Sequence, residues 1–353
     1  MNHTYKDANH CNTNLKLDKE INKHSGDFDN SHHSVLYQKF RSQIVKSLCF
    51  ENVQKVLVGL SAGVDSAVLL HLLSRYQKEN PSLEIIALHI HHQQRGDESD
   101  ADQRLAQEIA ASCKVPFHAV VLDGAKKGMS EDELRSLRFA AFETFSKQHK
   151  IERMVLAHHM DDQVETFLFR LIRGADTKGL SAMKVFQSPL VRPLLNFRRD
   201  ELLEEAEKFN VPYSHDSSNF FTGPSRNFVR KVLLPAIQSK LDPQVVDHLF
   251  DTASSLTEID SYMQDQASEM ITKVKVEDHV YSVSKMRQIP SIVRKKMIQL
   301  MFTYIIMDSG SLSRDHIEMI DQWMDTTQSP KYLILPKGIR VEKNKSVLRF
   351  SHT

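Results

Sequence analysis

The chain has 353 residues, 41% hydrophobic and 26% charged, with a formal net charge of +1. Such a length accommodates two domains, or one large core with an appendage, in an ordinary globular composition. It excludes a membrane span, since no run approaches the roughly 18 apolar residues required, and it confines any polyanion-binding surface to a local patch.

Residues 1–34 are rich in Asn, His, Asp and Lys and read as a disordered polar tail, without the apolar core of a signal peptide. YQKFRSQIVKSL (37–48) has helical spacing and leads into the core. From Lys55 onward short apolar runs alternate with longer 3.6-period stretches. VLVGL (56–60), EIIALHI (84–90), FHAVVL (117–122) and RMVLA (153–157) are expected strands. SAVLLHLLSRY, DADQRLAQEIAASC and EDELRSLRFAAFETFSKQH are expected helices between them. This alternation predicts an α/β domain over 35–222, a parallel sheet with helices on both faces and ligands beyond the C-terminal strand ends. Residues 223–353 are expected to form a smaller, mainly helical α+β domain. Its helices fall at 225–240, 243–272, 290–307 and 313–325, and its closing strands at 332–335, 339–343 and 346–350. Cys11, Cys49 and Cys113 lie far apart with no CxxC pair, which argues against zinc, iron–sulfur or persulfide chemistry and favours a cytoplasmic protein.

The first strand runs into Ser61-Ala62-Gly63-Val64-Asp65-Ser66, with a helix expected to start near Ser66. A strand-to-helix turn presents unpaired N–H groups and the positive end of a helix dipole, which together favour an anion such as phosphate. Gly63 would allow close approach or positive φ, and Ser61 and Ser66 add hydroxyl donors. Asp65 beside a phosphate makes sense if it caps the helix or holds a metal. An ordinary N-capped βα loop is the plainer alternative. The loop is neither GxxxxGK[ST] nor GxGxxG, which sets aside γ-phosphate and hydride transfer.

The fourth strand leads to His158-His159-Met160-Asp161-Asp162-Gln163-Val164-Glu165-Thr166. Val164, Phe167, Leu168, Leu171 and Ile172 share a face, so a buried helix is expected from about Asp161 to Gly174. Asp162 and Glu165 are neighbours on its first turn. They cap the helix, or, with His158, they supply what Mg²⁺ or a proton-accepting base needs.

SAGVDS resembles the SGGxDS loop of the PP-loop ATP pyrophosphatases, with Ala62 in place of glycine. AHHMDDQVETFLFRLIRG is similar to the AHHxDDQxETxLxRLxRG segment that marks the tRNA(Ile)-lysidine synthase family within them. HIHHQQRGDES (His92, Arg95) resembles a segment near the adenosine, and EDELRSLRF matches at Glu131, Arg135 and Arg138. VRPLLNFRRDEL and HDSSNFFTGPSRNFVRKVLLP also resemble family segments, the latter matching at Asp216, Asn219, Arg226, Asn227 and Arg230. Members often carry a further C-terminal domain, and the chain resembles a short form without it. The resemblance implies ATP on Ser61–Ser66, with Mg²⁺ on Asp65, Asp162 and Glu165. Arg138 and Arg230 would stabilise phosphate charge, and Arg226, Arg230 and Lys231 would contact tRNA, unless they form a solvated basic stripe. It implies a ligase acting on tRNA(Ile) with a CAU anticodon. The wobble cytidine is adenylated at its C2 oxygen with release of pyrophosphate, and free L-lysine then displaces AMP. A homodimer is left open. The alternatives are a PP-loop tRNA thiolase, a small-metabolite synthetase, or a non-catalytic tRNA- or nucleotide-binding relative, to which Ala62 would point.

Overall fold

The computed structural model describes residues 34–91, 97–122, 129, 131–214, 226–306, 312–326 and 332–353. Residues 1–33 of the expected 1–34 tail, and His92, Arg95, Asp216 and Asn219, lie outside the described residues. Ser34 is the N-cap of the Val35–Ser47 helix: its Oγ accepts from Tyr37 N at 2.9 Å and donates to Glu205 at 2.6 Å.

Apolar runs made of β-branched and leucine residues form the strands β1 (Lys55–Gly59), β2 (Glu84–His91), β3 (Phe117–Val121) and β4 (Arg153–Val155). The amphipathic stretches between them form the helices Val64–Glu79, Asp97–Ser112 and Glu131–His149. Two short strands, β5 (Phe186–Gln187) and β6 (Leu190–Val191), complete a sheet ordered β3-β2-β1-β4-β6-β5, in which only β5 is antiparallel to its neighbour. Val56, Leu57 and Val58 lie opposite Arg153, Met154 and Val155, so the chain leaves β1 and β4 side by side. The connection after β1 leads toward β2 on one side, and β4 lies on the other. That makes the β1–β4 edge the switch point, where a crevice opens. Leu57, Val58, Leu69, Leu72 and Ile85 are fully buried in the core around this sheet.

Helix Met160–Ile172 follows β4. Val164, Phe167 and Leu168 are buried as the spacing predicts, but Leu171 and Ile172 are 47% and 67% exposed. Val164 and Leu168 pack against Val229, Leu234, Val245 and Val246, and the last turn of the helix extends past that cluster. The helix expected at 225–240 divides into α-helix Arg226–Phe228, a π-helical turn Val229–Leu233 and α-helix Leu234–Lys240. Pro235 has no N–H to continue the regular ladder, and the chain widens just before it.

Helix Val245–Val274 continues into a second core, where Trp323, Met301, Phe302 and Phe350 are buried among helices Ser291–Ile306 and Arg314–Asp325. These pack on an antiparallel sheet of five strands rather than the expected three. Its order is β7 (Lys275–Glu277), β8 (Val280–Ser282), β11 (Val347–His352), β10 (Ile339–Lys343), β9 (Tyr332–Leu335). Strands β7 and β8 are three residues each, too short to show alternation in the sequence. No helix among the described residues is long and apolar enough to cross a membrane.

Candidate active site

The loop after β1 is held from within. Ser61 N donates to Ser66 Oγ at 3.1 Å, and Ser66 Oγ donates to Gly63 O at 2.9 Å. Ser214 N donates to Ala62 O at 2.8 Å from outside. The left-handed residue is Ala62, with φ 67°, whereas Gly63 is extended at φ −69° and serves as the N-cap. The freedom expected of Gly63 is therefore needed one residue earlier. A left-handed alanine costs about 1–2 kcal/mol, yet its methyl is wholly buried in the core, which offsets part of that strain.

A cavity of about 330 Å³ opens beyond the loop. Its polar end is lined by Ser61, Asp65 and Ser66, its apolar walls include Ile90 and Phe142, and Arg135 and Arg138 face it from helix Glu131–His149. That pair sits on the cavity rather than on a solvated face. Gly59 forms part of the floor: a Cβ there would lie 3.0 Å from Phe142 Cζ and 3.2 Å from Leu156 Cδ2, so any larger residue would push on those two side chains. His89 also lines the cavity, with Nδ1 donating to Leu60 O at 2.9 Å.

His159 joins this loop to the helix after β4. Its imidazole is 1% exposed, with Nε2 3.6 Å from Asp65 Oδ2 and 3.5 Å from Asp162 Oδ2, and Nδ1 3.5 Å from Asp161 Oδ2. Burial alone would lower its pKa. The carboxylates of Asp161, Asp65 and Asp162 around it outweigh burial and raise it to about 10, so it is a buried imidazolium at neutral pH. Burial pushes Asp65 and Asp161 up, but His159 holds both below the ordinary carboxylate value. Arg199 N also donates to Asp161 Oδ2 at 2.9 Å.

Asp162 Oδ2 accepts from His159 N at 3.0 Å, so this aspartate does cap its helix. Asp65 is no cap: its Oδ1 is buried without a hydrogen-bond partner, beside the cavity and 4.0 Å from Arg199 Nε. Glu165 is buried, and that burial, reinforced by Asp162, raises its pKa to about 7 against the pull of Arg230. Arg230 Nε lies 3.5 Å from Glu165 Oε1. Arg230 sits in the π-helical turn and faces Glu165 rather than joining a solvated basic stripe, while Lys231 stays exposed. Arg226 is half-buried.

His158 lines the cavity, where burial lowers its pKa to about 4 and Nδ1 has no partner. Of the two adjacent histidines, His158 is therefore the neutral one at the cavity and His159 the charged one among the acids. Sequence reasoning had singled out only His158. His159 precedes a helix and stands among three acidic residues, a pattern that could have marked it.

Among the described residues no three or more His, Cys, Asp or Glu side chains converge as a metal cage. Mg²⁺ bound with nucleotide phosphates needs only one or two carboxylates, and the orphaned Asp65 Oδ1 fits that requirement. Asp162 Oδ2 and Glu165 Oε1 already have protein partners.

Residues 34–237 match the family described as the PP-loop domain. The chain belongs to that PP-loop family. Among curated relatives, it is 26% identical over 321 residues to a tRNA(Ile)-lysidine synthase of Clostridioides difficile, covering 88% of this chain and 69% of the relative. A tRNA(Ile)-lysidine synthase of Parabacteroides distasonis is 32% identical over 279 residues, covering 76% of this chain and 62% of the relative. The chain thus spans about two thirds of the length of such PP-loop relatives. A solved U34-tRNA thiolase from Methanococcus maripaludis shares the fold, with a TM-score of 0.52 at 21% identity over 63% of this chain and 78% of that one.

Proposed function

We propose that this PP-loop protein is an ATP-dependent tRNA(Ile)-lysidine synthase acting in the cytoplasm. ATP binds in the crevice with its phosphates toward the Ser61–Ser66 turn and its base toward the apolar walls. The C2 oxygen of the wobble cytidine attacks the α-phosphorus, and the bond to the β-phosphate breaks, releasing pyrophosphate. The resulting adenylate makes C2 electrophilic. The ε-amine of free lysine attacks C2, AMP leaves, and the ammonium proton passes to a carboxylate. A free ε-ammonium has a pKa of about 10.4, so it must lose its proton before it attacks. Glu165, held near 7, is the base suited to neutral pH. Arg138 and Arg230 stabilise phosphate charge as it develops. Asp65 would hold Mg²⁺, with Asp162 and Glu165 as further candidates, and the ion would neutralise the departing pyrophosphate. Arg226 and Lys231 offer cationic contacts to the tRNA backbone.

The observation that carries this reading is the continuity of the charged network. Asp65 of the phosphate turn and Asp162 of the second helix meet at one buried imidazole, and Glu165 and Arg230 lie one turn further. One molecule of ATP and one amine nucleophile could be served by that single array. A thiolase reading lacks comparable support, because the three cysteines have no paired spacing.

The deciding experiment is incorporation of labelled lysine, with ATP and Mg²⁺, into tRNA(Ile) bearing CAU and into a transcript with uridine at the wobble position. Label in the cytidine transcript alone, lost with Asp162→Asn, is the expected result. Pyrophosphate release with some other RNA or metabolite, and no label in either transcript, would overturn the substrate assignment.

A further inference from the structure

Arg192 stands immediately after β6, and the mechanism above gives it no task. Its side chain is only 5% exposed. Nη1 donates to Lys184 O across a long 3.4 Å, and Nε has no acceptor. No carboxylate pairs with it among the described residues. The backbone of the residue is already satisfied, its N donating to Val185 O at 2.7 Å and its O accepting from Leu195 N at 3.3 Å. The guanidinium is therefore not needed to hold the turn through its main chain. A buried cation is ordinarily paired, because an uncompensated charge in a low-dielectric interior is expensive. Arg192 is instead neighboured by another cation: burial and the charge of Arg135 both weaken its protonated form. An arriving anion would relieve both.

Its surroundings locate that anion. Val191 on β6 lies opposite Val155 on β4, and Leu156 N donates to Val191 O at 2.9 Å, so Arg192 leaves β6 beside the strand end from which His158 and the first-turn acids follow. Three anionic groups take part in the proposed reaction: the phosphates of ATP, the backbone phosphates of the tRNA, and the α-carboxylate of the amino acid. Arg135 and Arg138 line the nucleotide cavity and Arg192 does not, which sets ATP aside. A polynucleotide presents its phosphates on an extended backbone that a side chain so deeply buried does not meet, whereas a single carboxylate on a flexible chain can enter.

We propose that Arg192 receives the α-carboxylate of the free amino-acid substrate and thereby selects lysine over a simple diamine. The proposal rests on the lysidine-forming reading. Lysine then spans the site, its ε-amine at the Asp162 and Glu165 turn and its carboxylate at Arg192. A guanidinium suits the task because its planar donors match a carboxylate in a bidentate pair, while a lysine would offer only a point charge.

The test compares lysine with cadaverine, which is lysine without its carboxylate, as nucleophile for the same tRNA and ATP. The unmodified protein should prefer lysine by about 10- to 100-fold in kcat/KM, the scale of one charge-assisted contact. Arg192→Gln should raise the KM for lysine by a similar factor and leave cadaverine use and pyrophosphate release near their starting rates. Arg192→Lys should recover part of the preference. Equal use of the two amines by the unmodified protein, which needs no variant to fold, overturns the proposal while the lysidine reading stands. So does an Arg192→Gln protein that slows pyrophosphate release as much as lysine capture. Modification by neither amine would sink the proposal together with the reading beneath it.

Discussion

Replacing His159 with glutamine removes the buried cation that three aspartates share, and the effect should depend on pH. In the fold His159 has a pKa of about 10, against about 6.5 for an unfolded histidine. The gap of about 3.5 pH units, at about 1.36 kcal/mol each, sets a ceiling near 5 kcal/mol. The imidazole is 1% exposed, so solvent screening removes little of it. The depressed pKa values of Asp65 and Asp161 express the same contacts from the other side and are counted once. Because the folded pKa lies above the unfolded one, this stability is fully present below about pH 6.5 and is lost as pH rises through about 10. Urea denaturation followed by far-UV circular dichroism, in metal-free buffer with a chelator, measures it. The stability difference between the original protein and His159→Gln should shrink by about 4 kcal/mol between pH 6 and 9.5. Two stability curves that run parallel across that range would refute the assignment of a charged His159.

Four further outcomes follow from the site. Gly59→Ala pushes a methyl to 3.0 Å from Phe142 Cζ; it should destabilise by about 1–3 kcal/mol and weaken ATP binding measured by titration calorimetry. Glu165→Gln should slow lysine transfer by about 10²- to 10⁴-fold and abolish a rise in rate with pH through about 7, read by single-turnover capture on preformed adenylate; an unchanged pH profile would remove Glu165 as the base. Ala62→Gly should be nearly neutral in thermal melts, because relief of about 1–2 kcal/mol of left-handed strain is offset by a lost methyl and a more flexible unfolded chain. Ala62→Val, β-branched at the same φ of 67°, should be markedly destabilising.

The sequence by itself determined what depends on neighbours along the chain. Alternation and 3.6-residue periodicity give β1 to β4 and the long helices, because each such element must bury one face or one run whatever it packs against. The Ser61–Ser66 turn and the Asp162–Glu165 pair were likewise legible, since a loop between two buried segments and two acids on a helix's first turn need a local explanation. The tertiary structure alone decided what depends on distant partners. His158 and His159 are adjacent and chemically identical. Only packing sends one to a cavity at a pKa of about 4 and encloses the other among Asp65, Asp161 and Asp162 at about 10. The sequence left Arg230 open between a phosphate contact and a solvated stripe; a π-helical turn aims it at Glu165, 65 residues earlier in the chain. Strands β5 to β8 span two or three residues each, so their pairing comes from the sheets they join rather than from any pattern of their own. Charge and burial are properties of an environment, and the environment of each of these side chains is assembled from segments that meet only when the chain folds.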